Sequence, residues 1–194
     1  MSIYAFSINH NDSAFNPVSF DQTLSDDVIQ KIKNESLQFE EVNGTIVRDI
    51  NHHVDDKEVR LVTTKYLPVS NVTWLYDLLT EYVFEANKFF KFQLTGFMEN
   101  IQFLHYGDDI GGGHYDWHMD CGRGIATRKL TVIVQLSDPA DYEGCRTEIL
   151  FNGMVSDVKG SVTIFPSYLP HRVLPLTSGK RDVLVAWVNG PTFS

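Results

Sequence analysis

Apolar positions in the first half of the chain recur with helical spacing. Residues 23–36 and 70–90 carry hydrophobic side chains three and four positions apart, which predicts two amphipathic helices with one apolar face each. Ser25 is the expected N-cap of the first helix because a short polar side chain there can accept a bond from the first turn. Ser70 or Asn71 is the expected N-cap of the second helix.

From about residue 98 the pattern changes to short apolar runs that are broken by Gly, Asp and Pro. Many short strands with regular turn signals are typical of a β-sandwich or jelly roll. We therefore expect a single domain over residues 1–194, with helical support at about 1–97 and a β core at about 98–190. The strands are predicted at 59–68, 100–106, 114–120, 129–137, 147–152, 161–166, 171–176 and 181–188.

The composition argues against several classes of binding partner and of stabilising framework. A formal net charge of −9 argues against a surface that binds nucleic acid or an anionic membrane. Two cysteines, Cys121 and Cys145, provide neither a disulfide framework nor a CxxC zinc signature. No signal-peptide pattern and no apolar run near the roughly 20 residues of a membrane span are present. We expect a cytoplasmic protein with reduced thiols.

Two overlapping His-x-Asp pairs lie in the segment HYDWHMDCGRG at residues 114–124: His114 with Asp116, and His118 with Asp120. In a strand, residues i and i+2 share a face with Cα atoms roughly 6.5–7 Å apart, so either pair could hold one metal ion. Periodicity does not distinguish the two pairs. A facial triad of two histidines and one carboxylate needs a further histidine, for which His171 is the candidate.

Arg181 is the candidate anion-binding residue. The segment HRVLPLTSGKRDVLVAW predicts a strand, a turn at 175–180 and a returning strand that begins at Arg181. Antiparallel pairing of these two strands would place Arg181 a few residues from His171 along the barrel axis. That separation suits a short dicarboxylate that chelates a metal at one end and meets a guanidinium at the other.

The order of these motifs resembles the iron(II)- and 2-oxoglutarate-dependent dioxygenases of the prolyl 4-hydroxylase type. The resemblance covers about residues 98–190 and includes RKLTVIVQLSDPADYEG, KGSVTIFPSYLPHRV and Trp187. It implies a double-stranded β-helix, which agrees with the strand pattern. It also selects the second His-x-Asp pair, because in the family a short loop and an Arg-led strand follow the ligand Asp, as CGRGIAT and Arg128 follow Asp120. No metal role is then expected for His114 or Asp116.

The resemblance implies a role for each matched residue. The metal ligands would be His118, Asp120 and His171, with Arg181 pairing with the distal carboxylate of 2-oxoglutarate. Three further residues would line or contact the cosubstrate pocket: Tyr106, Gln135 and Trp187. Core packing is the alternative for Tyr106 and for Trp187, which lies six residues beyond Arg181 and on its face by strand alternation.

The implied reaction is hydroxylation of an unactivated C–H bond, with Fe(II) as cofactor, 2-oxoglutarate as cosubstrate, succinate and CO2 as coproducts and ascorbate as a reductant. A prolyl residue in a peptide or protein is the expected substrate, and a free amino acid or other small molecule is the alternative. A non-catalytic jelly-roll module that binds metal or sugar is the alternative from another class. The glycine-rich segment 107–113 departs from the family pattern and predicts a mobile loop at the pocket mouth.

Overall fold

The computed structural model describes residues 12–49 and 52–192. It contains helices α1 (Asp26–Ser36) and α2 (Thr73–Phe90), with short 3-10 helices at Asp12–Phe15, Asp108–Ile110 and Pro139–Asp141. The strands, in chain order, are β1 (Val18–Phe20), β2 (Glu41–Asn43), β3 (Ile46–Asp49), β4 (His52–Val54), β5 (Arg60–Leu61), β6 (Thr63–Leu67), β7 (Gly96–Phe97), β8 (Ile101–Gly107), β9 (His114–His118), β10 (Arg128–Gln135), β11 (Tyr142–Gly144), β12 (Thr147–Ile149), β13 (Gly153–Met154), β14 (Val162–Pro166), β15 (His171–Val173) and β16 (Leu176–Asn189).

The strands form two main antiparallel sheets. The major sheet has the order β1-β14-β10-β16-β8-β6-β2, with β7 and β11 also paired to β16. The minor sheet has the order β13-β12-β15-β9-β5, and β3 and β4 form a separate two-stranded sheet. Strands from the first half of the chain therefore extend both main sheets, in addition to the predicted helices.

The two faces of the major sheet bury different sets of side chains because strand residues alternate between faces. One face of β10, with Leu130 and Val132, belongs to the same apolar cluster as Leu79 of α2. The opposite face contributes Ile133 to a second cluster, shared with Ile149 of the minor sheet. The helices cover one side of the major sheet, and the space between the sheets is left for the site.

Helix α1 begins as predicted, since Ser25 is its N-cap and accepts a bond from Val28 N. The predicted cap of α2 is wrong: its N-cap is Val72, which makes no side-chain capping bond. The Ser70 hydroxyl instead bonds to the Asn71 side chain at 2.9 Å. Tertiary packing of the broad apolar face of α2 stabilises this helix without a polar cap.

Two strand predictions are also wrong in detail. The run 59–68 does not form one strand, because β5 pairs with β9 in the minor sheet and β6 pairs with β8 in the major sheet. The turn expected at 175–180 lies largely within β16, and β15 pairs with β9 and β12 rather than with β16. His171 and Arg181 therefore lie on different sheets.

The glycine-rich segment 107–113 forms a tight turn. Gly107 and Gly112 exchange backbone hydrogen bonds of 3.1 and 2.9 Å, and Leu176 N donates to Gly113 O at 2.8 Å. A Cβ on Gly113 would lie 2.6 Å from Cβ of Tyr106, so this position requires glycine. The segment contributes no residue to the cavity described below, contrary to its predicted place at the pocket mouth.

No helix within residues 12–49 and 52–192 is both long enough and apolar enough to cross a lipid bilayer.

A charged cluster joins α1 to two central strands of the major sheet, β8 and β16, and makes stability depend on pH. His105 Nδ1 lies 2.7 Å from Asp182, which also pairs with Lys33 at 2.9 Å. The hydrogen bond with Asp182 raises the pKa of His105 above its ordinary 6.5, although burial opposes this shift. Burial would raise the pKa of Asp182, but the bonds with His105 and Lys33 outweigh it and lower that pKa below 3.8.

The stabilisation from His105 is therefore complete below pH 6.5 and is lost as pH rises through its folded-state pKa. The stabilisation from Asp182 is complete above pH 3.8 and is lost on acidification through its lower folded-state pKa. We predict that His105→Asn lowers the urea midpoint most near pH 6 and that the difference shrinks toward about pH 9. A difference independent of pH would contradict this linkage.

Candidate active site

Two histidines and one aspartate meet between the sheets. His118 ends β9, His171 begins β15 directly opposite it, and Asp120 lies two residues beyond β9. Potential ligand atoms of all three residues lie within 4.8 Å of one another. The Asp120 carboxylate lies 3.7 Å from His118 Nε2 and 3.3 Å from His171 Nε2. The structure thus brings together the three residues predicted as metal ligands.

Backbone carbonyls fix both imidazole rings. His118 Nδ1 donates to Asp116 O at 2.8 Å, and His171 Nδ1 donates to Leu169 O at 2.9 Å. Since each Nδ1 carries the proton in these bonds, each Nε2 keeps its lone pair for a metal.

The carboxylate and the imidazoles influence one another's protonation. Burial and the neighbouring His171 lower the pKa of His118 to about 3. Burial opposes charge on His171, yet the negative charge of the adjacent Asp120 carboxylate raises the pKa of this imidazole. Burial would raise the pKa of Asp120, but attraction to the two imidazoles and the hydrogen bond from Thr131 lower that pKa. Asp120 is therefore ionised, as a metal ligand must be.

A β-bulge separates the two His-x-Asp pairs. His118 lies opposite His171 but Tyr115 lies opposite Val173, so β9 contains one extra residue at this point. Tyr115 thereby stacks on His118 with ring centroids 3.5 Å apart.

The first His-x-Asp pair bonds elsewhere: His114 bonds to Glu58 O at 2.9 Å, and Asp116 accepts from the backbone of Trp117. Neither residue of the first pair belongs to the metal group, and neither lines the cavity.

Two hydroxyl residues absent from the sequence prediction support Asp120. Thr131 Oγ1 donates to Asp120 Oδ2 at 2.7 Å and lies 3.0 Å from Ser167 Oγ. Ser167 O also accepts from the backbone N–H of Asp120 at 2.9 Å. Position 131 is on the inter-sheet face of β10 by simple alternation, which is the only signal in the sequence for this role.

Thr131→Val is expected to weaken Fe(II) binding by roughly 10–100-fold, as is typical when a ligand loses its outer hydrogen-bond partner. The change keeps the shape of the side chain, so the fold should persist. Isothermal titration with Fe(II) under anaerobic conditions measures the effect. Thr163→Val is the matched control, since Thr163 is equally buried and bonds to Ser19 outside the cavity. Equal Fe(II) affinity in both variants would remove Thr131 from the site.

Arg181 is a buried cation on the major sheet. Its side chain is 2% exposed, and its residue pairs directly with Tyr106 across β16 and β8. Nε donates to Gln135 Oε1 at 3.1 Å and Nη2 donates to Thr147 Oγ1 at 3.2 Å. Nη1 is buried without a partner among the described residues. A buried guanidinium with a free N–H group fits a ligand carboxylate.

The three predicted pocket residues occupy different positions. Tyr106 and Trp187 line the same cavity as Arg181, as alternation along β16 predicted for Trp187. Gln135 does not line it: its oxygen orients Arg181, and its nitrogen donates to the Tyr142 hydroxyl at 2.9 Å. A direct contact between Gln135 and the cosubstrate is therefore not supported, because the side chain lies behind the guanidinium.

One cavity of about 370 Å³ contains all of these groups, and its lining joins the metal triad to Arg181. Trp187 forms part of the wall and stacks against the Arg128 guanidinium at 3.6 Å. Arg128 in turn pairs with Glu99 and donates to Asp120 O at 3.3 Å. Apolar side chains such as Val183 and Val185 complete the lining, which limits the access of water to the metal position.

The residues present fit both Fe(II) and 2-oxoglutarate. Two imidazole nitrogens and one carboxylate form the facial donor set of non-haem Fe(II) sites and leave open coordination positions. Arg181 provides the unpaired buried donor that the far carboxylate of 2-oxoglutarate needs.

Comparison with known proteins agrees with this geometry. Residues 101–189 match the family model of the 2OG-Fe(II) oxygenase superfamily. A PKHD-type hydroxylase of Hyphomonas neptunium is 39% identical over 85 residues, which cover 40% of this chain and 38% of the relative. A PKHD-type hydroxylase of Colwellia psychrerythraea is 34% identical over 95 residues, covering 45% and 42%. The chain thus spans about two fifths of the length of these relatives.

Solved structures show the same fold. A prolyl-4-hydroxylase of Pseudomonas putida superposes with a TM-score of 0.68 at 18% identity, covering 92% of this chain and 95% of that one. A prolyl hydroxylase of Trichoplax adhaerens, solved with a peptide fragment of hypoxia inducible factor, gives 0.70 at 16% identity, covering 91% and 84%. The predicted double-stranded β-helix is confirmed.

Residues 101–189 are thus similar to the 2OG-Fe(II) oxygenase superfamily, and the donor set of His118, Asp120 and His171 lies within or beside that segment's strands. The resemblance of the motifs to the prolyl 4-hydroxylase type agrees with this match, and the superposed structures include prolyl hydroxylases of the same fold. Ascorbate as a reductant stays a prediction.

Proposed function

We propose that this chain hydroxylates a prolyl residue in a peptide or protein, with Fe(II) as cofactor and 2-oxoglutarate as cosubstrate. The observation that carries the proposal is one cavity that contains both a complete metal triad and a buried arginine with an unpaired N–H group. In the overall reaction one oxygen atom of O2 enters the substrate C–H bond. The other enters succinate as 2-oxoglutarate loses CO2, so the atoms balance.

The part of the protein is to hold and orient the reactants. His118, Asp120 and His171 would hold Fe(II), which when bound supplies the activation of dioxygen for oxidation of an unactivated C–H bond. Arg181 would pair with the distal carboxylate of 2-oxoglutarate, and Gln135 and Thr147 hold its guanidinium in place.

The substrate class is supported by relatives and by the shape of the site. Two superposed structures are prolyl hydroxylases by name, and one of them contains a bound peptide fragment. Trp187 lines the cavity and offers a flat apolar surface to a ring there, which suits proline better than a charged side chain. A free amino acid or other small molecule is the second candidate.

The proposal is tested first by anaerobic titration of the protein with Fe(II) and 2-oxoglutarate. We expect the visible charge-transfer band of a chelated 2-oxo acid. Exposure to air with ascorbate and a library of proline-containing peptides should then give a mass gain of one oxygen, with one succinate formed for each hydroxyl. A mass gain on free proline alone would favour the small-molecule alternative. Metal binding without any succinate would favour the non-catalytic module.

A further inference from the structure

Arg60 is a third arginine in the cavity, and the mechanism above does not use it. It opens β5 and lies directly opposite Tyr115 of β9. Its guanidinium carbon lies 4.8 Å from the centroid of the Tyr115 ring, and that ring stacks on His118. Arg60 also lines the same cavity as the metal triad. The ring of Tyr115 therefore contacts both the Arg60 guanidinium and the predicted metal ligand His118.

Arg60 has unused hydrogen-bonding capacity. Of its five N–H donors, one reaches Thr45 O at 2.7 Å and another reaches Gln102 Oε1 at a long 3.5 Å. Nε is buried and has no partner among the described residues. No carboxylate in the described part of the chain forms an ion pair with this guanidinium, whereas Arg128 is neutralised by Glu99.

The balance of charge in the cavity leaves Arg60 unmatched. Its lining contains three arginines but only two carboxylates, Glu99 and Asp120, although the chain as a whole is strongly acidic. The two positive charges of Fe(II) would be matched by the two negative charges of 2-oxoglutarate. One positive charge then remains in the cavity, on a partly buried guanidinium whose Nε is fully buried and unpaired, which is unfavourable.

We infer that Arg60 binds a carboxylate on the substrate next to the prolyl ring, and so selects acidic substrates. This inference rests on the proposed function, because the prolyl ring defines which part of the cavity the substrate fills. The carboxylate is either that of a C-terminal proline or that of an acidic side chain beside the proline. Arginine suits this task since its planar fork binds a carboxylate through two parallel hydrogen bonds.

The local backbone is arranged to leave room for this side chain. Gly44 lies against Arg60, and a Cβ at that position would approach Arg60 Nε at 3.0 Å and Val62 Cγ1 at 2.4 Å. Gly44 N also donates to Val62 O at 2.8 Å, which ties this segment to the chain between β5 and β6. The residues that pack around this guanidinium, Gly44 and Val62, thus lie outside the segment 101–189 that matches the family.

The experiment measures binding to the anaerobic complex of the protein with Fe(II) and 2-oxoglutarate, by the change in its charge-transfer band. Two pairs of probes differ only in charge: acetylproline against acetylprolinamide, and acetyl-Pro-Glu-amide against acetyl-Pro-Gln-amide. We expect the acidic member of at least one pair to bind roughly 10–100-fold more tightly than its neutral partner. The pair that shows the preference identifies the source of the carboxylate.

In Arg60→Gln the preference should fall to about one, with 2-oxoglutarate affinity unchanged, and Arg60→Lys should retain part of it. Lys88→Gln removes the same charge from the exposed face of α2 and is the control. The inference is overturned if the parent binds acidic and neutral probes equally or binds neither, or if Arg60→Gln keeps the preference. It is also overturned if that variant weakens 2-oxoglutarate, which would assign Arg60 to the cosubstrate.

The same probes separate this inference from the proposed function. After admission of air, equal hydroxylation of acidic and neutral probes would support the prolyl hydroxylase and overturn the role of Arg60. Selective binding of acidic probes that depends on Arg60, without a mass gain on any proline, would support Arg60 and overturn the prolyl substrate.

Discussion

Asp120→Ala is expected to abolish the charge-transfer band of the complex with Fe(II) and 2-oxoglutarate at metal concentrations that saturate the parent. The variant loses the only anionic ligand of the triad and leaves the Thr131 hydroxyl without its acceptor. Since loss of an outer-shell partner alone costs roughly 10–100-fold in metal affinity, loss of the ligand itself should exceed that. His118→Ala should have the same effect. Anaerobic titration with Fe(II), followed by absorbance, measures both.

The neighbouring His-x-Asp pair provides the matched controls. His114→Ala and Asp116→Ala change the same residue types a few positions earlier in the chain, but their side chains do not line the cavity. Both control variants should keep the band and its Fe(II) dependence. If His114→Ala abolished the band while Asp120→Ala left it intact, the assignment of the metal pair would be reversed.

Arg181→Ala is expected to weaken 2-oxoglutarate binding while Fe(II) binding is largely retained. Truncating one partner of a buried charge pair costs about 2–5 kcal/mol, which corresponds to a rise in Kd of roughly 30-fold to several thousandfold. Titration of the Fe(II) protein with 2-oxoglutarate measures this shift. Restoration of the band at high 2-oxoglutarate would show that the fold is intact.

Arg172→Ala is the control for Arg181, because Arg172 pairs with Glu148 and does not line the cavity. Its 2-oxoglutarate affinity should equal that of the parent. Arg181→Lys keeps the charge but loses the forked geometry, so an intermediate affinity is expected. An unchanged affinity in Arg181→Ala would remove this residue from the site.

The sequence was most informative where a regular period extended over many residues. The apolar stripe of α2 and the alternation along β16 predicted both elements and placed Trp187 on the face of Arg181. Strand partners were less predictable. The sequence predicted that the strands of His171 and Arg181 pair as a hairpin, but the two strands belong to different sheets. Both residues still reach one cavity, since the two sheets face each other across it.

The site was predictable as far as its residues form a motif with fixed spacing. His118, Asp120 and His171 were selected in this way, and the structure brings them together. Thr131 was missed because the sequence does not show which group the hydroxyl of a threonine on a buried strand will bond to. Arg60 was missed because it lies far earlier in the chain, and only the pairing of β5 with β9 brings it to the cavity.

The pairing of β5 with β9 divides the cavity between two stretches of sequence. The groups proposed to hold iron and 2-oxoglutarate all lie within residues 101–189, whereas Arg60 lies before them. With these proposed roles, substrate choice can diverge during evolution while the oxidative chemistry stays constant. For engineering, exchange of the β2–β5 region between relatives offers a way to redirect such an enzyme without disturbing its iron centre.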